Sequence, residues 1–345
     1  FDVVIGNPPY QEEAQGGGTR DTPLYHLFMD AAYEVGSKAV LITPGRFLFN
    51  AGFTPKAWNE KMLADPHLTV AHYFPDSSAL FPGTAINGGI VITYRNNGSL
   101  GEPIGTFSFF PELNAILDKV GGTTFEPMEA CITSSRSYRY TDALYRDHPE
   151  AKELRPTGNT ALVSTNAFDQ FSFLFFHEQP DDDHEYVRVL GLDGKRRASR
   201  WIRSDYITGP DNFHKFKVIA PASRGHLGKL GKEPALILGK PLLGEPNEAV
   251  TQTYITIGSF DTKTEAVACL NYIRSKFARA MLGILKVTQH NPAAVWKYVP
   301  TQNFTSSSEI DWSKSIPEID QQLYAKYGLG AAEISFIEER VKPMG

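Results

Sequence analysis

FDVVIGNPPY, residues 1–10, runs an apolar segment straight into a turn that cannot continue it. Residues 1–5 are apolar apart from Asp2 and stop at Gly6-Asn7, the pattern of a fully buried strand in a parallel sheet. Pro8 and Pro9 fix φ and hold the residues before them extended, so the backbone leaves the strand in one defined direction. Outward from this stretch, residues 11–22 are polar and glycine-rich and read as a loop. Residues 23–35 place Leu24, Leu27, Phe28, Ala31 and Ala32 on one helical face, with Pro23 suited to the first turn. Residues 38–43 read as a second buried strand ended by Pro44-Gly45, and a helix is expected around 55–64. Strands follow at 68–74 and 88–95 with no clear helix between them, as in an edge hairpin. Strand–helix–strand–helix–strand with short turns predicts an α/β layered sheet.

Near residue 121 the character changes. Gly121-Gly122 break the pattern and helical periodicity becomes rare. Residues 184–208 alternate like two strands about a Gly-Leu-Asp-Gly turn, and 216–222 and 250–258 also read as extended. A strong helical stretch returns at 262–286, where Thr262 and Glu265 have capping-box spacing, and a last helix fits 331–341. Two domains are therefore expected, 1–120 and 121–345.

Composition narrows the function classes. Over 345 residues, 41% hydrophobic and 21% charged is an ordinary globular balance. A net charge of −5 excludes a basic nucleic-acid coat protein, so any nucleic-acid contact must come from local basic patches. Cys131 and Cys269 stand in unrelated contexts and form neither a disulfide framework nor a metal spacing, which fits a reducing cytoplasm and predicts no metal site. There is no signal-peptide pattern and no apolar run of about 18 residues, so no membrane association is expected. The chain opens at Phe1 directly in a strand-like run and reads as a piece of something longer.

Asn7-Pro8-Pro9-Tyr10 carries the chemistry. The lone pair of an exocyclic amine on a nucleobase is delocalised into the ring and is a poor nucleophile. Two acceptors aimed at its two N–H hydrogens favour a pyramidal nitrogen with a localised pair, an effect felt mainly in the transition state. The Asn7 side-chain oxygen is one such acceptor and the Pro8 carbonyl the other, with the prolines fixing both in advance. Tyr10 offers a flat face on which the base stacks. Such stacking requires the base to leave the duplex. The motif ends a strand at its carboxyl end, where open α/β sheets bind ligands. Read blandly, it is a proline turn after a strand.

These residues resemble the catalytic domain of the N6-adenine DNA methyltransferases of the type IIG restriction-modification family. The resemblance extends to LYHLFMDAA (24–32), KAVLITPGRFL (38–48), FPGTAINGGIVIT (81–93) and the closing WKYVPTQNF (296–304). It covers the first 120 residues well and 200–345 more loosely. It implies a partial Rossmann-like methyltransferase sheet followed by a mixed α+β target-recognition domain, S-adenosylmethionine as methyl donor and double-stranded DNA as partner. It implies that Asn7, Pro8, Pro9 and Tyr10 hold a flipped adenine, that Asn7 and Phe28 are candidate cofactor contacts, and that Phe81 is a candidate for the other face of the base. Phe28 reads equally as a core aromatic and Phe81 as a loop anchor. In that family a Gly-rich cofactor turn precedes the motif. Gly16-Gly17-Gly18 follows no strand and residues 328–333 lack the right lead-in, so an N-terminal portion, with or without a nuclease, is expected as a partner, and the chain alone is expected to bind cofactor poorly and to be inactive.

Three basic clusters suit a DNA-binding face: Lys195, Arg196, Arg197, Arg200 and Arg203 with Trp201 and Tyr206; Arg136, Arg139 and Arg146 among Tyr138, Tyr140 and Tyr145; and Arg224, His226, Lys229 and Lys232. Each alone is an ordinary solvated surface; their joint presence makes residues from 121 onward a candidate target-recognition domain. Two rivals stand beside the enzyme reading. Pro180-Asp181 with Asp193 and Lys195 mimics a metal-dependent nuclease, although Asp193-Gly194 is a common hairpin-turn pair. A catalytically inactive DNA-specificity module is the other.

Overall fold

The computed structural model describes residues 1–12, 22–108, 110–121, 123, 125–154, 161–223, 228, 230–231 and 233–344. The third basic cluster (Arg224, His226, Lys229 and Lys232) and the glycines at 16–18 lie outside the described residues. The fold is α/β, in two compact units, Phe1–Ala115 and Ile116–Gly345.

The first unit runs β1 (Val3–Gly6), β2 (Gln11–Glu12), β3 (Thr22–Pro23), α1 (Tyr25–Val35), β4 (Lys38–Pro44), a 3-10 turn (Gly45–Phe49), α2 (Lys56–Ala64), β5 (Leu68–Phe74) and β6 (Ile90–Asn96). Its main sheet has the order β1-β4-β6-β5. β1 and β4 are parallel, with Val3 opposite Lys38 and Gly6 opposite Leu41. β6 is antiparallel to both β4 and β5, so the expected hairpin exists, with β5 outermost and β6 inserted beside β4.

Two local expectations are corrected. β1 is not buried on both faces: Val3 is 49% and Ile5 77% exposed. As the end strand of this sheet it has a strand neighbour on the β4 side alone among the described residues. The buried face of α1 is Tyr25, Met29 and Ala32, at i, i+4 and i+7, whereas Leu27 and Phe28 are exposed. Tyr25 wins the inward position by packing edge-on against Trp58, with ring centroids 6.2 Å apart, while Phe47 lies 5.5 Å from the same Trp58.

After α3 (Pro111–Gly121), the second unit contains β7 (Ile132–Thr133), β8 (Arg139–Tyr140), α4 (Asp142–Asp147), α5 (Glu150–Glu153), α6 (Ala167–Gln170), β9 (Tyr186–Asp193), β10 (Arg196–Arg203), β11 (Ile207–Thr208), β12 (Phe216–Pro221), β13 (Leu242–Gly244), β14 (Glu248–Val250), β15 (Tyr254–Phe260), α7 (Lys263–Arg274), α8 (Lys276–Leu285), α9 (Ile316–Lys326) and α10 (Ala331–Arg340). Short strands make sheets of order β10-β9-β14 and β13-β12-β15-β7. The expected hairpin is present: Asp193 pairs with Arg196, and Gly194 takes the positive φ of 58° that the turn needs. The stretch 262–286 is two helices. Thr262 and Glu265 form the capping box of α7, and Ser275 is extended and caps α8 through a bond from Ala278 N–H, 3.1 Å. The last helix is where the periodicity puts it, whereas α9, not expected from the sequence, is opened by a Ser315/Glu318 capping box with Pro317 in its first turn.

Buried cations tie loops of this unit together. Lys217, fully buried, donates to the carbonyls of Phe213, Lys215 and Glu245 at 3.0–3.1 Å. Arg279 donates to the carbonyls of Arg274, Ser275, Leu236 and Lys342. Replacing Lys217 by Met leaves three carbonyls without their donor, and chemical denaturation should show a loss of about 2–4 kcal/mol. Burial lowers the Lys217 amine to about 8. The unfolded chain then binds more protons between pH 8 and its ordinary value of about 10.4, so the native protein should gain stability across that window and the variant should lack the gain.

Candidate functional site

Three segments converge at one end of the first unit's sheet. β1 and β4 are parallel and both finish there; β5 also finishes there, because its Phe74 pairs with Ile90, the first residue of β6. The Asn7-Pro8-Pro9-Tyr10 turn, the Gly45–Phe49 turn and the 75–89 loop therefore share that end.

The motif is held on both sides. Val3–Gly6 lie in the ladder with β4, and the Tyr10 carbonyl accepts from Leu24 N–H at 3.0 Å and Tyr25 N–H at 3.5 Å, so it satisfies donors at the start of α1. β2 then pairs with β3 just beyond. Asn7 is exposed and Tyr10 half-buried. Burial raises the Tyr10 phenol above its usual range, and the adjacent Asn7 side chain partly offsets that. Tyr25 sits beneath: burial pushes its phenol up to about 12, against the opposing influence of Thr54, the Arg46 charge and the Phe47 backbone. His26 is lowered by burial, with Asp30 acting the other way.

The second and third segments interlock. Gly45 N–H donates to Gly89 O at 2.9 Å, and the Tyr73 hydroxyl donates to Gly88 O at 3.1 Å. A Cβ on Gly45 would come 2.8 Å from that same Gly88 oxygen. Arg46 Nε donates to Asn87 O at 2.8 Å. The loop carrying Phe81 is built from its own hydrogen bonds: Phe81 N–H to Ser77 O, 2.8 Å; the Ser77 hydroxyl to Thr84 O, 2.6 Å; and Ile86 N–H to Ser77 Oγ, 2.8 Å. Phe81 itself is half-buried. Phe28, 44% exposed on α1, offers an open ring face rather than a core contact. Gly45, Arg46 and Asn87 were not singled out by sequence reasoning. The available signal was Asn87-Gly88-Gly89, since paired glycines before a strand mark positive φ and close backbone approach.

The second unit sorts its basic residues by partner. Lys195, Arg196 and Arg197 are exposed at the tip of the β9–β10 hairpin. Arg197 also donates to Lys240 O at 2.8 Å. Arg200 is paired with Asp193 and lies over the Phe168 ring. Arg203 is bound to Asp205 at 2.6 Å and Asp147 at 3.3 Å and stacks on Tyr206. In the second cluster Tyr138 and Tyr140 are core residues, not surface aromatics. Asp193 is therefore an ion-pair partner. Among the described residues no group of three or more His, Cys, Asp or Glu side chains is placed to hold a metal ion. No helix among them is long and apolar enough to cross a membrane.

Residues 1–81 match the Eco57I restriction-modification methylase family. No curated protein matches the chain. Among solved structures, the chain is similar to the type IIL restriction-modification enzyme MmeI, determined in complex with DNA, at 10% identity and a TM-score of 0.44, covering 98% of this chain and 56% of that one. It is also similar to the type IIG restriction endonuclease BpuSI at 10% identity and a TM-score of 0.34, covering 98% and 53%. The chain thus spans about half the length of either enzyme.

The interlock of the two turns has a measurable consequence. Gly89 has φ +69°, and a Cβ there would lie 2.3 Å from Phe74 O, whereas Gly83, at φ +81°, has nothing within 4 Å. Gly89→Ala should lower unfolding stability by about 2–4 kcal/mol, while Gly83→Ala should cost only about 1 kcal/mol for its backbone conformation.

Proposed function

We propose that this chain holds the target base in a restriction-modification DNA methyltransferase that methylates N6 of a flipped adenine. The observation that carries the reading is Asn7-Pro8-Pro9-Tyr10 at the carboxyl end of β1, anchored through the Tyr10 carbonyl to α1, within residues that match a methylase family. In this reading the Asn7 oxygen and the Pro8 carbonyl accept the two N6 hydrogens, Pro9 sets the turn, and Tyr10 stacks on the base. Phe81 closes the opposite face from the 75–89 loop. The product loses its proton after transfer, so no high-pKa base is required at the site.

S-adenosylmethionine is the donor this reading names; bound, it supplies an electrophilic methyl group. The described residues fit that donor only in part. Phe28 offers one apolar wall and Asn7 an amide, but no Gly-rich turn leads from a strand into an α-helix among them. The chemistry that this chain's own residues would supply is therefore that at the acceptor amine. That partial fit also favours a second reading, a DNA-specificity module without turnover of its own.

The second unit is assigned to DNA recognition. Lys195, Arg196 and Arg197 are the cations of the hairpin tip that would meet phosphates. Arg200 and Arg203, neutralised by Asp193, Asp205 and Asp147, hold the hairpin in shape.

Two measurements follow. In the full-length protein that contains this chain, Asn7→Ala should abolish transfer of labelled methyl groups into duplex DNA while leaving the Kd for DNA within about twofold, since the clamp acts in the transition state. Full activity of that variant contradicts the clamp; DNA binding by the full-length protein without any transfer selects the second reading. Replacing Arg196 and Arg197 together by Gln should flatten the dependence of DNA affinity on salt by about two phosphate contacts. An unchanged slope removes the hairpin tip from the DNA surface.

A further inference from the structure

Arg46 differs from three other cations of the first unit. Lys61 is paired with Asp30, Arg95 with Asp65 and Lys56 with Glu60. Among the described residues no carboxylate lies within ion-pair distance of Arg46. Its stem is held between two glycines of positive φ. A Cβ on Gly88, φ +88°, would approach Arg46 Cγ to 2.8 Å, and one on Gly52, φ +93°, would approach Arg46 Cδ to 3.1 Å. Nε is committed to Asn87 O at an exposed position. What remains is an uncompensated, pre-oriented guanidinium edge at the sheet end that carries Asn7. Arg46 is linked to that motif through Tyr25, whose N–H meets the Tyr10 carbonyl and whose hydroxyl feels the Arg46 charge.

We infer that Arg46 is a phosphate-binding residue for the DNA strand that carries the flipped base. The inference rests on the base-holding role assigned above to this sheet end. A planar guanidinium with one nitrogen already tied presents its other donors in a fixed fork. That fork suits two oxygens of a backbone phosphate, and little side-chain freedom is lost when it binds. A flipped nucleotide exposes its flanking phosphates, and a fixed cation at the rim of the base site would hold them during extrusion. The same bond to Asn87 joins Arg46 to the loop bearing Phe81, so one side chain would position both the strand and the stacking loop. The competing role is a staple that only joins the two turns.

Salt dependence separates the two roles. Duplex affinity is measured from about 50 to 200 mM salt for the native chain, Arg46→Gln and Arg46→Lys. Loss of one phosphate contact should reduce the slope of log affinity against log salt by about 0.9 and weaken binding roughly tenfold at the low end. Arg46→Lys keeps the charge without the Nε bond and should retain the native slope. A native slope in Arg46→Gln, or a slope lost equally in Arg46→Lys, overturns the phosphate role and leaves a staple. If Arg46→Gln does not fold, Arg46→Lys decides alone, a reduced slope contradicting the inference. Failure of the underlying reading looks different: the native chain itself would then bind duplex DNA without salt dependence, or not at all.

Discussion

Fixation of a proline turn at both ends is the constraint on which the candidate site depends. Pro8 and Pro9 have no N–H to contribute to a ladder, so the segment cannot hold itself in place by sheet pairing. β1 is pinned to β4 on one side, and on the other the Tyr10 carbonyl receives the first donors of α1. Each such bond contributes only about 1 kcal/mol net, but the prolines have already removed much of the unfolded chain's freedom, so little more is needed to leave one conformation. In the proposed reading, two acceptors, the Asn7 amide and the Pro8 carbonyl, would thereby be presented by a backbone that need not reorganise when charge develops opposite them.

The neighbouring turns follow from the same economy of backbone. β4 ends in Pro44-Gly45 and β6 begins after Gly88-Gly89, and the two meet so closely that side chains on these glycines would clash with Gly88 O or Phe74 O. Close approach lets Gly45 N–H reach Gly89 O and Arg46 Nε reach Asn87 O, so the loop bearing Phe81 is tied to the turn after β4. Loops at the carboxyl ends of parallel strands are the usual ligand-bearing part of an α/β sheet. Here glycine geometry and hydrogen bonds hold them in place. In the second unit the comparable rigidity comes from buried cations: Lys217 and Arg279 reach several carbonyls each where regular secondary structure is short.

Much of this was legible in the residues. The two sheet segments at 38–43 and 68–74, the helix near 55–64, the hairpin about Asp193-Gly194 and the Thr262 cap all declare themselves by period or by turn chemistry. What escaped depends on tertiary choice. Apolar spacing alone puts Leu27 and Phe28 on the inner face of α1, but Tyr25 and Met29 take it because the Trp58–Phe47 cluster lies on that side. The run Phe1–Ile5 looks fully buried because its composition cannot say how many strands flank it. Arg200 and Arg203 look like free cations in a basic run, and only cross-strand pairing and a turn bring Asp193, Asp205 and Asp147 to them. Arg46 was hidden for the opposite reason: nothing local distinguishes an arginine left without a carboxylate from one that has found a partner.

Because an acceptor pair suited to an exocyclic amine could serve more than one base, the chemical identity of the product tests the account most directly. Duplex DNA incubated with the full-length protein that contains this chain and isotopically labelled S-adenosylmethionine, digested to nucleosides and resolved by mass spectrometry, should yield the label in N6-methyladenine alone. Label in N4-methylcytosine or C5-methylcytosine, or unlabelled nucleosides throughout, would contradict it.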